Sequence, residues 1–176
     1  MKNTFTLPII PDDDGKRLEN LYSYQLLDTP FEETFDNITE LTRSIFNTPI
    51  ALISLVDKER VWFKSNVGME DKREASRGTS LCALAILNDE VTVFEDALKE
   101  PCLLKNPLVV GSFGLKFYAG APLVSERGYN IGSICIVDKK PRAFDQEERT
   151  NLKRIAHIVM DKMEARKALL EGLVKD

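Results

Sequence analysis

The chain has 176 residues, a length that fits one domain of ordinary size. With 43% hydrophobic and 30% charged residues and a formal net charge of -4, the composition excludes a disordered or fibrous protein, and scattered basic residues argue against nucleic-acid binding. The apolar runs are too short to span a bilayer and the start lacks a hydrophobic signal core, so we expect a cytoplasmic protein with no membrane partner.

The N-terminal third predicts an arm followed by two helices. Residues 1–15 contain two prolines and three consecutive aspartates at 12–14, which suits an arm that leads into the acid-rich start of a helix. The first helix is predicted over residues 16–27, where apolar residues recur three and four apart. A second helix is predicted with Thr29 as N-cap, Pro30 in the first turn and Glu32 completing a capping box. Its predicted buried face consists of Phe35, Ile38, Leu41, Thr42 and Ile45.

Short β segments follow. Residues 50–56 are almost continuously apolar, which is typical of a central strand covered on both faces. The next segment places Val61, Phe63, Ser65 and Val67 on one face of a second strand. The remaining predicted elements are strands at 91–95, 117–124 and 131–137 and short helices at 80–87 and 103–110. This order predicts an α+β fold, an antiparallel sheet with helices on its faces.

A long final helix is predicted from about Asp145 onward. It carries a stripe of residues four and three apart, namely Leu152, Ala156, Val159, Met163, Arg166, Leu170 and Leu173. A stripe of this period suits a parallel dimer seam, so we expect a homodimer in which Leu152, Val159, Met163 and Leu170 contact the partner. The alternative is that the first half of the stripe packs on the sheet and the helix frays beyond Met163.

Several segments together resemble GAF domains of bacterial histidine kinases and diguanylate cyclases. They are Leu-Asp-Thr-Pro at 27–30, the strand at 49–57, Trp-Phe-Lys-Ser at 62–65, Cys82-Ala83, Phe-Tyr-Ala-Gly-Ala-Pro-Leu at 117–123 and Ile-Gly-Ser-Ile-Cys at 131–135. The resemblance covers about 16–165 and leaves an arm at 1–15 and a helical extension at 166–176. It implies the first and last helices on one face of the sheet and a ligand pocket beneath short helices on the other.

The resemblance implies a group of candidate pocket residues. They are Trp62, Cys82, Phe94, Asp96, Phe117, Tyr118 and Gly120. The lack of bulk from residue 119 to residue 121 would leave space for a ligand beside the sheet. The aromatic residues have core packing as their alternative role, and Asp96 could instead cap the turn that follows it.

The resemblance also argues against two classes of ligand, although it does not identify the ligand. GAF domains that bind cyclic nucleotides carry an Asn-Lys dipeptide that this chain lacks, and bilin-binding relatives follow the attachment cysteine with histidine, whereas Ala83 follows Cys82. Cyclic nucleotides and a covalent chromophore are therefore disfavoured, and the ligand and any cofactor stay unidentified. His157 is the single histidine, so no metal site is expected.

The cysteines raise the question of thiol chemistry. Cys82, Cys102 and Cys135 form no Cys-x-x-Cys pair, so free thiols are expected. One branch with the GAF fold reduces free methionine sulfoxide through a nucleophilic cysteine. Cys135 lies in an apolar strand and is expected to be inert, which leaves Cys82 and Cys102 as the pair that could cooperate.

The function expected from the sequence is a non-catalytic sensory module. It would bind a small molecule and act through its terminal helices on a signalling partner in trans. Two alternatives stay open, a dimerisation scaffold with a filled pocket and a thiol-dependent reductase of the methionine sulfoxide type.

Overall fold

A computed structural model describes residues 1–174, and these form one antiparallel sheet with helices on both faces. The strands are β1 (Ile50–Val56), β2 (Arg60–Val67), β3 (Glu74–Ser76), β4 (Thr92–Phe94), β5 (Phe117–Val124) and β6 (Asn130–Asp138), in the order β3-β2-β1-β6-β5-β4. The helices are α1 (Asp14–Tyr22), α2 (Glu33–Phe46), α3 (Cys82–Ala85), α4 (Pro107–Val110) and α5 (Gln146–Val174). The predicted α+β class is confirmed, and residues 175 and 176 of the predicted extension lie outside the described residues.

The centre of the sheet is β1, which pairs with β2 on one side and β6 on the other. All seven of its residues are buried, as its apolar run predicts. Gly132 of β6 faces Leu55 of β1, where the two strands approach closely. A Cβ atom at residue 132 would lie 1.9 Å from the carbonyl oxygen of Ser54. The short edge strand β3 was not predicted, since Glu74–Ser76 has no apolar run.

A bulge in β2 changes which face its side chains occupy. Ile53 of β1 is opposite Ser65, but the next β1 residue, Ser54, is opposite Phe63, so Lys64 is the extra residue. Phe63 packs in the core on one face of the sheet, while Ser65 hydrogen bonds to Asp36 of α2 on the other. The prediction that Phe63 and Ser65 share a face is therefore wrong, because the extra residue inverts the alternation.

The first two helices differ from their predicted boundaries. The first ends at Tyr22 instead of residue 27, because Gln25 and Asp28 adopt left-handed backbone conformations that turn the chain. The second begins at Glu33 with Glu32 as N-cap. The Thr29 hydroxyl donates to the Leu26 carbonyl oxygen instead of capping that helix, so the predicted capping box is wrong.

The buried face of α2 also differs from the prediction. Leu41 and Ile45 are 59% and 53% exposed, although they were predicted to be buried. Thr42 is buried as predicted, and Thr39 is buried although it was not predicted to be. Both hydroxyls donate to carbonyl oxygens four residues earlier in the helix. Because these hydroxyls are satisfied within the helix, threonine can face the core and the apolar Leu41 and Ile45 can face outward.

The predicted dimer stripe of α5 packs inside its own chain. Leu152, Val159 and Met163 are at most 1% exposed and belong to the core against the sheet, whereas Leu170 is half-buried. The helix lies mainly on β5 and also contacts α2. The first three residues therefore cannot form a dimer seam, and the alternative that this half of the stripe covers the sheet is correct.

Two hydrophobic cores lie back to back on the sheet. The helix-side core holds α2 and α5, and the cavity-side core holds α3, α4 and the N-terminal arm. The arm is anchored there by the buried Phe5 and Ile9 and by a hydrogen bond from the Thr4 amide to the Gly78 carbonyl oxygen. Each strand thus presents alternate side chains to two separate layers.

Candidate functional site

A small cavity lies in the cavity-side core, between the sheet, α3 and the segments around residues 69–72 and 108–115. Its lining consists of Leu52, Phe63, Met69, Lys72, Ala75, Ser80, Leu81, Cys82, Leu108, Phe113, Leu115, Tyr118, Cys135 and Val137. The volume is about 40 Å³. A single water needs roughly 10–15 Å³ on this measure, so the cavity holds about three waters and no metabolite of ordinary size.

Tyr118 supplies a buried polar group to this cavity. Its side chain is 1% exposed, and its ring lies 6.3 Å from that of Phe94 in a tilted arrangement. Among residues 1–174, the hydroxyl has no hydrogen-bond partner. Burial and the neighbouring Cys82 thiol raise the pKa of Tyr118 well above its usual value, so the group is a neutral, buried hydrogen-bond donor.

Two cysteines line the same cavity. Cys82 begins α3 and Cys135 lies in the middle of β6, and their sulfur atoms are 3.7 Å apart. The hydrogen bond between the thiols lowers the pKa of Cys82, against the effect of burial, and raises the pKa of Cys135. The sulfur that Cys82 contacts therefore belongs to Cys135 of β6, which was expected to be inert, and not to Cys102.

Three of the seven predicted pocket residues come together. Cys82 and Tyr118 line the cavity, and Phe94 packs beside Tyr118. Trp62 and Phe117 belong to the helix-side core, so the structure contradicts their placement in this pocket. For Phe117 the reason is the strand geometry, since neighbours in a strand point to opposite faces and Tyr118 faces the cavity.

Asp96 and Gly120 are not among the residues that line the cavity. The Asp96 carboxylate accepts a hydrogen bond of 3.3 Å from the Leu98 amide, which is the predicted alternative of capping the turn. At Gly120, a Cβ atom would lie 2.4 Å from the Tyr118 hydroxyl. The space that this glycine leaves is therefore filled by the tyrosine ring and does not enlarge the cavity.

Most of the cavity lining was not predicted from the sequence, including Leu52, Leu115 and Val137. Val137 was recognisable, because it lies two residues after Cys135 in the same strand and so shares its face. Leu52 lies in a different strand, so its face could be assigned only from the strand pairing. The loop residues could not be found in this way, since their position depends on how residues 69–72 and 108–115 fold back over the sheet.

A larger groove of about 530 Å³ lies on the outer surface, between the start of β4 and the first half of α5. It is lined mainly by polar residues, namely Glu90, Val91, Gln146, Arg149, Thr150, Lys153, Arg154 and His157. Lys153 donates to both carboxylate oxygens of Glu90 across the groove. Within residues 1–174, no group of three or more His, Cys, Asp or Glu side chains could hold a metal ion.

An ionic cluster connects the sheet to α5. The bulged Lys64 has a fully buried side chain, and its ammonium group donates to Thr29, the Pro30 carbonyl oxygen and Glu32 at 2.7 to 3.0 Å. Arg166 of α5 donates to the same Glu32 oxygen at 3.1 Å. Burial raises the pKa of Glu32, but the hydrogen bond and charge of Lys64, with Arg166, lower it further than burial raises it. The carboxylate therefore stays ionised between two cations.

Comparison with known proteins identifies a family for this chain. The GAF domain family model matches residues 30–161. A cyclic di-GMP phosphodiesterase from Pseudomonas aeruginosa is 38% identical over 154 residues, which are 87% of this chain and 26% of that protein. The chain thus spans about a quarter of the length of this curated relative.

Two solved structures show the same fold. The GAF domain of an Acinetobacter phosphoenolpyruvate-protein phosphotransferase matches with a TM-score of 0.64 at 13% identity, covering 90% of this chain and 97% of that one. The free methionine-R-sulfoxide reductase from Neisseria meningitidis, in complex with its substrate, matches with a TM-score of 0.64 at 17% identity, covering 95% of this chain and 98% of that one. At such identities the likeness shows the fold alone.

The helices of residues 1–174 include none with the length and apolar character needed to cross a membrane. The family model covers well over half of the chain, and the six-stranded antiparallel sheet with helices agrees with it. The chain therefore belongs to the GAF domain family.

Proposed function

We propose that this GAF domain is a sensory or regulatory module of bacterial signal transduction. It works in the cytoplasm as a homodimer, binds a small molecule in the cavity around Tyr118 and acts on a signalling partner without catalysing a reaction itself. The similarity to a protein named as a cyclic di-GMP phosphodiesterase supports a signalling role. The matched region is a minor part of that enzyme, which supports a regulatory module that does not itself catalyse the reaction.

The observation that carries the proposal is the position of Tyr118 on β5. Its side chain faces the cavity, while Phe117 and Ala119 on the same strand face the core beneath α5. A ligand that moves Tyr118 therefore acts on the strand against which α5 packs. Close packing transmits such a shift, because cores change between discrete arrangements.

The cavity sets conditions on the ligand. The mainly apolar lining, with a Tyr118 hydroxyl that has no partner among residues 1–174, suits a compact, largely apolar molecule with a hydrogen-bond acceptor. Because the volume is about 40 Å³, a ligand of more than a few atoms requires Met69, Lys72 or Phe113 to move outward. The ligand would then favour an open arrangement that is rare in the free protein, which is a population shift.

The dimer is proposed through the exposed apolar side chains of α2 and α5. These side chains are Leu41, Ile45, Ile158, Leu169 and Leu173, with exposed fractions between 48% and 76%. Leu169 and Leu173 lie beyond Met163, which is the last fully buried residue of α5. An unsupported helical end of this length is marginal in water, so a second copy of the chain is its proposed support.

The ligand site is tested by a metabolite screen that monitors the melting temperature, with Tyr118→Phe as the matched variant. A ligand at the proposed site raises the melting temperature of the wild type, and loss of one buried hydrogen bond weakens its binding to the variant about tenfold. Native mass spectrometry of freshly purified protein reports any co-purified ligand. If no compound shifts the melting temperature, the filled scaffold is favoured; an equal shift in the variant places the ligand elsewhere.

The dimer is tested by light scattering on the full chain. Leu169→Glu is expected to yield monomer, because it places a charge in an apolar interface, whereas His157→Glu on another side of α5 leaves the dimer intact. A monomeric wild type, or equal dimer content in both variants, contradicts the proposed interface.

A further inference from the structure

The two thiols of the cavity carry a second inference, which goes beyond the sensory function and does not depend on ligand binding. We propose that Cys82 and Cys135 form a redox-active dithiol that a small hydroperoxide entering the cavity oxidises to a disulfide. The geometry carries this assignment, because the sulfur atoms are 3.7 Å apart and both residues line the same cavity.

The two sulfur atoms are in contact but are not bonded. A disulfide needs about 2.05 Å between sulfurs, so the two atoms must approach by about 1.7 Å. Cys82 lies at the start of the four-residue helix α3, whereas Cys135 is fixed between β1 and β5. The movement is therefore expected at Cys82, on the short helix, with the strand as the fixed partner.

The cavity suits the oxidant in size. Hydrogen peroxide has two heavy atoms, and a cavity of about 40 Å³ has space for about three waters. Tyr118 lies at the same cavity with a neutral hydroxyl that can donate to a peroxide oxygen. Of the two thiols, Cys82 is the one whose pKa the other lowers, so it supplies the thiolate.

The reaction has two steps. The Cys82 thiolate attacks one peroxide oxygen, the O–O bond breaks, and the leaving hydroxide takes a proton and departs as water. Cys135 then attacks the resulting sulfenic sulfur, the S–O bond breaks, and its thiol proton leaves with the hydroxide as a second water. The two thiols lose two electrons in total and the peroxide gains them, so no further reactant is needed.

The sequence makes the test direct, because trypsin separates the three cysteines into peptides 78–99, 100–105 and 128–139. The full chain is reduced, treated with hydrogen peroxide under native conditions and analysed by intact and peptide mass spectrometry. In the Cys102→Ser variant, we expect the mass to fall by two hydrogens, peptides 78–99 and 128–139 to become linked, and dithiothreitol to restore both. Wild-type peptide mapping gives the same linkage without any substitution.

One further variant tests the mechanism, and two results would overturn it. In Cys102→Ser/Cys135→Ala, Cys82 should gain oxygen instead of forming a disulfide within the chain. The proposal is wrong if both thiols stay reduced under conditions that oxidise the half-buried Cys102, or if Cys82 becomes linked to Cys102 instead. The metabolite screen is run on the reduced protein, so failure of ligand sensing and failure of the dithiol are separate outcomes.

Discussion

The most informative stability test concerns the carboxylate that holds α1 to the sheet. Asp14 accepts hydrogen bonds from Arg17 at 2.7 Å and from both terminal nitrogens of Arg77 at 2.9 Å. The side chains of the two arginines are 2% and 0% exposed, so Asp14→Ala leaves two buried guanidinium groups without their shared carboxylate.

The expected loss of stability in Asp14→Ala follows from the burial of the two arginines. Removing one partner of a buried ion pair costs about 3–5 kcal/mol, because the remaining charge is uncompensated. Arg77 keeps hydrogen bonds to the carbonyl oxygens of Asp57 and Lys58, and Arg17 keeps one to Val56, which places the expected loss near the lower end. The free energy of unfolding of a domain is about 5–15 kcal/mol, so the variant stays folded but is much less stable.

Urea unfolding measures the loss. With an m-value of about 2 kcal/mol/M, the midpoint of Asp14→Ala falls by about 1.5 M. The matched control is Asp12→Ala, which removes an exposed carboxylate from the same acidic segment and changes stability by less than about 0.5 kcal/mol. Equal midpoints for the two variants would refute the role assigned to the buried pair.

The same site predicts a pH dependence. Burial raises the pKa of Asp14, but hydrogen bonds and charge from Arg77 and Arg17 lower it below its ordinary value of 3.8. A lowered folded pKa stabilises the protein fully above the unfolded value, and this contribution is lost as pH falls through the folded pKa. The stability difference between wild type and Asp14→Asn should therefore shrink below 3.8, and a constant difference there contradicts the assignment.

Two further substitutions test the packing and the ionic cluster. Gly120→Ala places a methyl group on the Tyr118 ring and should cost about 1–3 kcal/mol in urea unfolding, while the ring moves and ligand-induced melting shifts decline. Lys64→Met should cost about 1.5–3 kcal/mol, less than Asp14→Ala, because Arg166 still pairs with Glu32. An unchanged stability of Gly120→Ala would show that the ring is mobile. An unchanged stability of Lys64→Met would show that the bulge needs no ion pair.

The sequence alone determined the existence and type of most elements. Residues 50–56 and 117–124 match β1 and β5 in both boundaries, because continuous apolar runs of that length are typical of buried strands. The ordered set of motifs identified the GAF family, and the family model confirms it. These features are local or sequential, so no knowledge of packing was needed.

The tertiary structure decided which surface each buried residue meets. Apolar periodicity shows that Val159 and Trp62 are buried, but not that Val159 packs on its own sheet or that Trp62 lies in the helix-side core. The bulge at Lys64 reverses which face of the sheet the following side chains of β2 occupy. The Tyr118 ring fills the space beside Gly120. The thiol pair of the cavity comes from residues 53 positions apart. Such contacts depend on three-dimensional packing between distant segments, and a local pattern carries no information about the partner.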